Sequence, residues 1–155
     1  MPKQCIVIAM IGFNHGLVGG LIGYALPLPI AAPLAVVSHF LLDALPHYGL
    51  PYKLRDHSKL WKPLFIFDFF ATAALIVIPV MTHHYAMLIC GVLAVLPDFV
   101  WVMHFIMKRT FDLGEHTNWY TKYHAKIQRY ERPWGVWVEL PLAAILFWIL
   151  LKISY

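Results

Sequence analysis

Long apolar runs alternate with short polar segments along the whole chain. Five of these runs each approach the roughly 20 residues that a helix needs to cross the ~30 Å hydrocarbon core of a bilayer. The pattern therefore predicts an all-α fold, an integral membrane bundle of about five transmembrane helices in a single domain, residues 1–155. The predicted spans are residues 5–26, 30–46, 63–82, 85–106 and 134–152.

The composition agrees with this pattern. Of the 155 residues, 61% are hydrophobic and 13% are charged, and the mean hydropathy of +0.67 is too high for a soluble domain of this length. A cleaved signal peptide is the alternative for the first run, because Lys3 precedes it, but no small-x-small cleavage site follows. Cys5 and Cys90 are too few for a disulfide framework or a thiolate metal site, so we expect them to be packing residues.

The basic residues predict the orientation of the bundle. All twelve Lys and Arg residues lie outside the five predicted spans or at their edges. The positive-inside rule therefore puts the basic loops 47–62 and 107–133, together with the N-terminus, in the cytoplasm. With five spans, the C-terminus is expected outside.

Four acidic residues lie inside the predicted spans, and apart from Lys152 at the far edge of the last span no span contains a lysine or arginine to neutralise them. An aspartate at a helix centre costs roughly 2.5 to 3.5 kcal/mol on insertion scales, so four acids could cost on the order of 10 kcal/mol. Protonation of these acids, a nearby histidinium or a bound cation must offset this free-energy cost. In the predicted topology all four lie within roughly 12 Å of the cytoplasmic boundary, at 1.5 Å per residue. These acids are Asp43, Asp68, Asp98 and Glu139.

The stretch SHFLLDALPHYG, residues 38–49, carries the densest set of metal-ligand types. His39, Asp43 and His47 are spaced four apart, which puts them on one helical face. Neutral histidine and ionised aspartate are ligands for zinc. Pro46 disfavours helical backbone next to it, so His47 could lie in a turn. His39 and Asp43 are therefore the more strongly predicted pair of metal ligands. A hydrogen-bonded helix contact is the alternative for a single histidine, but three such residues with carboxylates at the same depth favour a metal site.

Several short motifs carry a resemblance that covers most of the chain. Together they resemble the small inner-membrane family of metal-dependent hydrolases that is often described as LexA-binding, inner membrane-associated hydrolases. More remotely, the His-x-x-x-Asp helix is similar to that of zinc-dependent phospholipase C and the P1-type nucleases, in which such residues bind a cluster of zinc ions. The motifs are NHGLVGG at 14–20, SHFLLDALPHYG at 38–49, FD at 67–68, LPD at 96–98, and the series at 123, 124, 134, 135 and 139.

The resemblance implies metal-ligand roles for His39 and Asp43, and also for His15 and His47. The interval from Asp43 to His47 is shorter than in the soluble enzymes. The cofactor expected is one or more Zn²⁺ ions, with another divalent metal as the alternative, and Asp98 or Glu139 could act as a base or remain a ligand. The predicted ligand set is His15, His39, Asp43, His47, Asp68, Asp98 and His124.

The loop at 108–132 has a pattern of its own. An apolar stripe and a basic face alternate at helical spacing, which is typical of a basic amphipathic helix that lies in the headgroup plane. An ordinary cytoplasmic loop is the alternative. If the helix forms, His124 would reach the mouth of the polar pocket and the basic residues could hold a lipid phosphate. The stripe is Trp119, Tyr123, Ile127 and Tyr130, and the basic face is Lys122, Lys126 and Arg129.

These features predict a membrane-embedded, zinc-type hydrolase of a phosphoester in a lipid or lipid-linked substrate, with no nucleic-acid partner. Sequence motifs of zincins and of serine hydrolases, HExxH and GxSxG, are absent. A metal or proton transporter is the first alternative, although five spans without an inverted repeat fit alternating access poorly. A non-catalytic membrane protein that binds a cytosolic partner through its basic loops is the second.

Overall fold

The computed structural model describes residues 12–49, 61–99, 103, 106, 107 and 119–154. This part of the chain is mostly helical, so the predicted all-α class is confirmed. Two short strands, β1 (His47–Tyr48) and β2 (Glu131–Arg132), pair in parallel. The helices are α1 (Gly12–Ala25), α2 (Leu28–Asp43), α3 (Trp61–Ala74), α4 (Val77–Met81), α5 (Tyr85–Val95), α6 (Trp119–Ile127) and α7 (Val136–Ser154). Three short 3-10 helices cover Leu96–Asp98, Gln128–Tyr130 and Pro133–Gly135.

Two helical stretches among the described residues are long and apolar enough to cross a membrane. They are Pro63–Met81, which runs from α3 through α4, and Pro133–Ile153, which contains most of α7. These match two of the five predicted spans. Leu28–Asp43 and Tyr85–Asp98 are apolar but shorter. The first seven residues of the predicted span 5–26, including Cys5, lie outside the described residues, as does Lys3.

Small residues allow α1, α2 and α5 to pack closely. Ala31 and Ala35 of α2 form a buried cluster with Cys90 and Ala94 of α5. On α1, Gly19 faces the same segment of α5, and a Cβ there would overlap the Cys90 carbonyl oxygen. Close backbone approach through small residues is a usual basis of helix association in apolar surroundings. Cys90 is thus a packing residue, in line with the sequence-based expectation.

Helix direction collects the polar side chains at one end of the bundle, because α1 runs antiparallel to α5. The start of α1 at Gly12 lies beside Val95 at the end of α5, whereas Gly23 lies beside the start of α5. The start of α7 lies next to the start of α1, because the Asn14 side-chain amide donates to the Glu139 carbonyl oxygen at 3.4 Å. The last turns of α2 and α5 therefore meet the first turns of α1 and α7.

Neighbouring glycines on α1 should respond differently to an added methyl group. A Cβ at Gly19 would overlap the Cys90 carbonyl oxygen, but a Cβ at Gly20 would meet nothing nearer than the Met87 carbonyl oxygen at 3.8 Å. We expect Gly19→Ala to destabilise the fold by at least about 1–3 kcal/mol through overpacking. Gly20→Ala should be neutral or slightly stabilising, because alanine is the better helix former. Thermal unfolding in detergent measures both, and equal shifts in Tm would contradict this packing.

Candidate metal centre

The last two turns of α2 carry His39 and Asp43 side by side. The four-residue spacing puts both side chains on one face of the helix, and both are fully buried. His39 Nε2 lies 3.3 Å from Asp43 Oδ2. The pair that the sequence picks out most firmly is therefore formed within a single helix.

Two further residues join this pair from other parts of the fold. Asp98 comes from the 3-10 helix that follows α5, and His124 comes from α6. One ligand atom from each of His39, Asp43, Asp98 and His124 lies within 4.8 Å of all the others, and all four residues are buried. We call these four residues the His/Asp cluster.

The donor atoms of the His/Asp cluster have the spacing of a four-coordinate site. His39 Nε2 lies 3.2 Å from His124 Nε2 and 3.6 Å from Asp98 Oδ1. His124 Nε2 lies 2.7 Å from Asp43 Oδ2 and 3.7 Å from Asp98 Oδ1. Ligands roughly 2.0–2.2 Å from a tetrahedral zinc ion would be separated by roughly 3.3–3.6 Å. Most of these separations are close to those of zinc ligands, and the 2.7 Å contact between His124 and Asp43 would have to lengthen for the donors to surround a single metal ion.

The tautomer of His39 also suits a metal ligand. Its Nδ1 lies 2.8 Å from the Ala94 carbonyl oxygen, which can only accept, so Nδ1 carries a proton and donates it. In the neutral ring the Nε2 lone pair then points at carboxylate oxygens, so either a second proton on the ring or a cation between these atoms would remove the repulsion. Metal-bound histidines commonly donate their second ring N–H to a backbone carbonyl in this way.

His15 lies at the edge of the His/Asp cluster. Its ring stacks on that of His39, with centroids 4.1 Å apart. Its Nε2 lies 3.3 Å from Asp43 Oδ1, the carboxylate oxygen that faces away from His124. The side chain is fully buried, and among the described residues neither ring nitrogen has a hydrogen-bond partner. The structure thus puts this predicted ligand next to the cluster.

His47 lies outside the His/Asp cluster, in β1 just after Pro46. Its Nδ1 donates to the Leu45 carbonyl oxygen at 2.8 Å, and its buried Nε2 has no hydrogen-bond partner in the described part of the chain. Burial lowers the pKa of His47, so the ring is neutral near pH 7. Gly135 fixes this turn against the start of α7, because a Cβ there would overlap the His47 backbone carbonyl.

Asp68 and Glu139 also lie outside the His/Asp cluster. The Asp68 carboxylate accepts hydrogen bonds from the backbone N–H groups of Gly12 at 2.8 Å and Phe13 at 3.0 Å. It thereby caps the first described turn of α1, where a negative charge also complements the helix dipole. Glu139 is fully buried in the first turn of α7.

Gln128 and Tyr120 belong to the site but were not among the predicted residues. The Gln128 amide donates to Asp43 Oδ2 at 3.3 Å, and the Tyr120 hydroxyl donates to the Pro97 carbonyl oxygen at 2.8 Å. Burial, together with the charges of Asp98 and Asp43, raises the pKa of Tyr120 to about 12. Their spacing of four residues to either side of His124 is the sequence signal that could have identified them.

The predicted helix between the fourth and fifth predicted spans is present as α6, and Arg129 and Tyr130 follow it in the 3-10 helix Gln128–Tyr130. Trp119 and Tyr123 are 78% and 57% exposed, so these two aromatic side chains lie mostly on the surface. Lys122 and Lys126 are exposed as well. The side chain of Arg129 lies outside the described residues.

Two imidazoles and two carboxylates give the His/Asp cluster a donor set that could bind a metal ion. Nitrogen and oxygen donors of this kind suit zinc and several other divalent metals, so the donors alone do not select one ion. Comparisons of the chain with models of protein families, with curated proteins and with solved structures find no match.

Proposed function

We propose that the protein is a membrane-embedded, zinc-dependent hydrolase of a phosphoester in a lipid or lipid-linked substrate. The observation that carries this proposal is the buried His/Asp cluster, whose four donors lie within 4.8 Å of one another. When bound, a zinc ion would offset the buried carboxylates, lower the pKa of a water molecule toward ~7 and stabilise charge on the phosphoryl oxygens.

Each member of the His/Asp cluster has a distinct part in this proposal. His39 and His124 would hold the ion through Nε2, and Asp43 would hold it through Oδ2. The side chain of Asp98 is 11% exposed, whereas the other three side chains are fully buried. Asp98 is therefore the member that substrate and water reach first, and its carboxylate could accept a proton from the attacking water or remain a ligand. Glu139 is the second candidate for the base.

Neutral polar groups around the cluster would keep the ligands in position. The Ala94 carbonyl holds the ring of His39, and the Gln128 amide lies within 3.3 Å of both His124 Nε2 and Asp43 Oδ2. Outer partners of this kind orient ligands and usually affect metal affinity by about 10–100-fold.

The exposed apolar surface supports a membrane location. Only 6% of the apolar window in Pro63–Met81 and 11% of that in Pro133–Ile153 is buried inside the protein. The core helix of a soluble protein would instead be mostly buried, and large exposed apolar surfaces mark contact with a membrane or partner. We propose five spans in a bacterial-type inner membrane, with the N-terminus and the His/Asp cluster on the cytoplasmic side.

The orientation can be tested with reporters fused after Tyr155. Because the chain would cross the membrane five times, a periplasmic reporter such as alkaline phosphatase should be active and a cytoplasmic one such as a fluorescent protein should be dark. The same pair inserted between α6 and α7 should give the reverse result. A fluorescent C-terminal fusion would rule out the five-span topology without bearing on the metal site.

The resemblance to inner-membrane metal-dependent hydrolases supports the reaction class, and the basic α6 supports a phosphate-containing substrate. Lys122 and Lys126 are exposed on the helix that also carries His124. Each lysine is two residues from His124 and points away from the cluster, so the pair would attract an anionic headgroup to this face of the protein rather than contact the scissile group. The cluster alone would serve a carboxyl ester or an amide equally well.

The hydrolase proposal predicts chelator-sensitive release of a phosphorylated headgroup from phospholipids by the detergent-purified protein. The double variant Lys122→Gln/Lys126→Gln should raise KM roughly fivefold, since each exposed charge contributes up to about 1 kcal/mol, with metal content unchanged. Lys152→Gln, at the exposed far end of α7, is the matched control and should leave KM unchanged. Metal-loaded protein that hydrolyses none of the lipids would refute the proposal and favour transport or sensing.

A further inference from the structure

A large apolar cavity adjoins the His/Asp cluster. Its volume is about 380 Å³, within the roughly 300–1,000 Å³ of small-molecule sites. Side chains of α3 and α5 such as Phe65, Phe69, Leu88 and Val92 line it. Asp68 and Asp98 are the only charged residues among the described ones that line it, and both lie at the end next to the cluster.

Glycines on α1 form one wall of this cavity. Gly12, Gly16 and Gly20 recur every four residues and all line it. Gly19 and Gly23 on the other side of the helix are needed for close approach to α5, but a Cβ at Gly20 would meet nothing nearer than 3.8 Å. Alanine would favour the helix by about 1 kcal/mol, so packing gives no reason for a glycine at position 20. Its absent side chain instead leaves open space.

The cavity has a polar end and an apolar end, as an amphiphile does. Asp98 belongs both to the His/Asp cluster and to the cavity lining, which makes the two continuous. Pro79 and Met87 line the opposite, apolar end. The eight helical steps from Gly12 to Gly20 extend about 12 Å along α1, close to the roughly 15 Å of one leaflet of the hydrocarbon core.

From these observations we propose that the cavity holds one linear acyl chain of the substrate, with the scissile group at Asp98, and that the space beside Gly20 sets the chain length accepted. This inference rests on the proposed hydrolase function and narrows its substrate to acyl lipids. Lateral entry from the bilayer suits a chain that never leaves apolar surroundings. The cavity supplies length selection, and the cluster supplies the chemistry.

Photocrosslinking tests the occupant without depending on hydrolysis. A phospholipid with a diazirine at the end of a decanoyl chain, which is about as long as the cavity, is added to the full-length protein in nanodiscs, before and after chelation of metal. We expect crosslinks at residues around Gly20, such as Met87 and Leu88, and their reduction by about tenfold in Gly20→Leu, because a pocket excludes even one surplus methylene by about 10–200-fold. Val37→Leu, which adds volume on an exposed face of α2, should leave them unchanged.

A chain-length series tests the same inference through catalysis. Relative to the wild type, Gly20→Leu should lower kcat/KM for decanoyl substrates at least about tenfold more than for hexanoyl substrates. Gly20→Ala should give a smaller shift in the same direction, and it serves if the leucine variant fails to fold. Equal losses for both chain lengths, or crosslinks confined to outward-facing residues such as Phe67 and Phe70, would overturn the inference. Crosslinks inside the cavity without hydrolysis of any substrate would instead refute only the proposed function.

Discussion

Asp43→Asn should remove the bound metal ion and abolish hydrolysis. Asp43 is the centre of the His/Asp cluster, with Oδ2 at 2.7 Å from His124 Nε2 and 3.3 Å from His39 Nε2. Asparagine keeps the shape but replaces an anionic ligand by a neutral one. Because changes in outer-shell groups alone cost about 10–100-fold in metal affinity, we expect a loss of more than about 100-fold. Metal titration monitored by calorimetry measures the loss.

Asp68→Asn is the matched control for Asp43→Asn. It also neutralises a carboxylate near the start of α1, but one that lies outside the His/Asp cluster. Gly12 and Phe13 donate to different oxygens of the Asp68 carboxylate, and the amide oxygen of asparagine can still accept one of these two hydrogen bonds. We therefore expect near-normal metal content. Equal loss of metal from both variants would make Asp68 a ligand, and retained metal in Asp43→Asn would rule out the cluster as the site.

Chelation of metal should lower the thermal stability of the wild-type protein substantially. Without a cation, the carboxylates of Asp43 and Asp98 lie buried beside the lone pair of His39 Nε2. A ligand present at 1,000 times its Kd stabilises the folded state by about 4 kcal/mol. With about 2–4 °C per kcal/mol for a chain of this size, Tm should fall by on the order of 10 °C. Zinc added back should restore it.

Asp43→Asn is the comparison variant for the chelation experiment, because it removes a buried charge that otherwise needs a positively charged partner. Its Tm should be insensitive to chelator. In the presence of chelator it should exceed the Tm of the wild type, since an unpaired buried charge is more costly than a buried amide. An identical response of the two proteins to chelator would mean that the stabilising ion binds elsewhere.

Local spacing is what made the first half of the site predictable. His39 and Asp43 lie four residues apart on one helix, so their proximity follows from helix geometry alone. Asp98 and His124 are distant in sequence, the latter 81 residues from Asp43. The common depth of the intramembrane acids indicated Asp98, and the family resemblance indicated His124.

The role of Asp68 could not be predicted, because a carboxylate in an apolar helix looks the same whether it binds a metal or caps another helix. Its partners are the backbone N–H groups of Gly12 and Phe13. Because nearly every residue has a backbone N–H group, the sequence does not indicate which of these groups a carboxylate will bind. His47 is similar, since the path of the chain after Pro46 depends on pairing with β2 and on Gly135.

Neutral polar residues were missed for a related reason. On α6 the prediction rested on the aromatic and the basic residues, such as Trp119 and Lys122, which lie on the two outer faces. The inner face carries Tyr120 and His124, and Gln128 follows in the 3-10 helix after α6. Of these three residues only the histidine has an evident chemical role. The dual use of glycines on α1, for close packing at Gly19 and open space at Gly20, also requires the positions of neighbouring helices.

The presence of a metal ion in the His/Asp cluster is tested most directly by elemental analysis of the detergent-purified protein, wild type and Asp43→Asn side by side. Four donors within reach of one ion predict about one equivalent of zinc per wild-type chain and a small fraction of that in the variant. A wild-type protein that is free of metal and takes up none from added zinc, or a variant that retains the full equivalent, would contradict the assignment of this cluster as a metal centre.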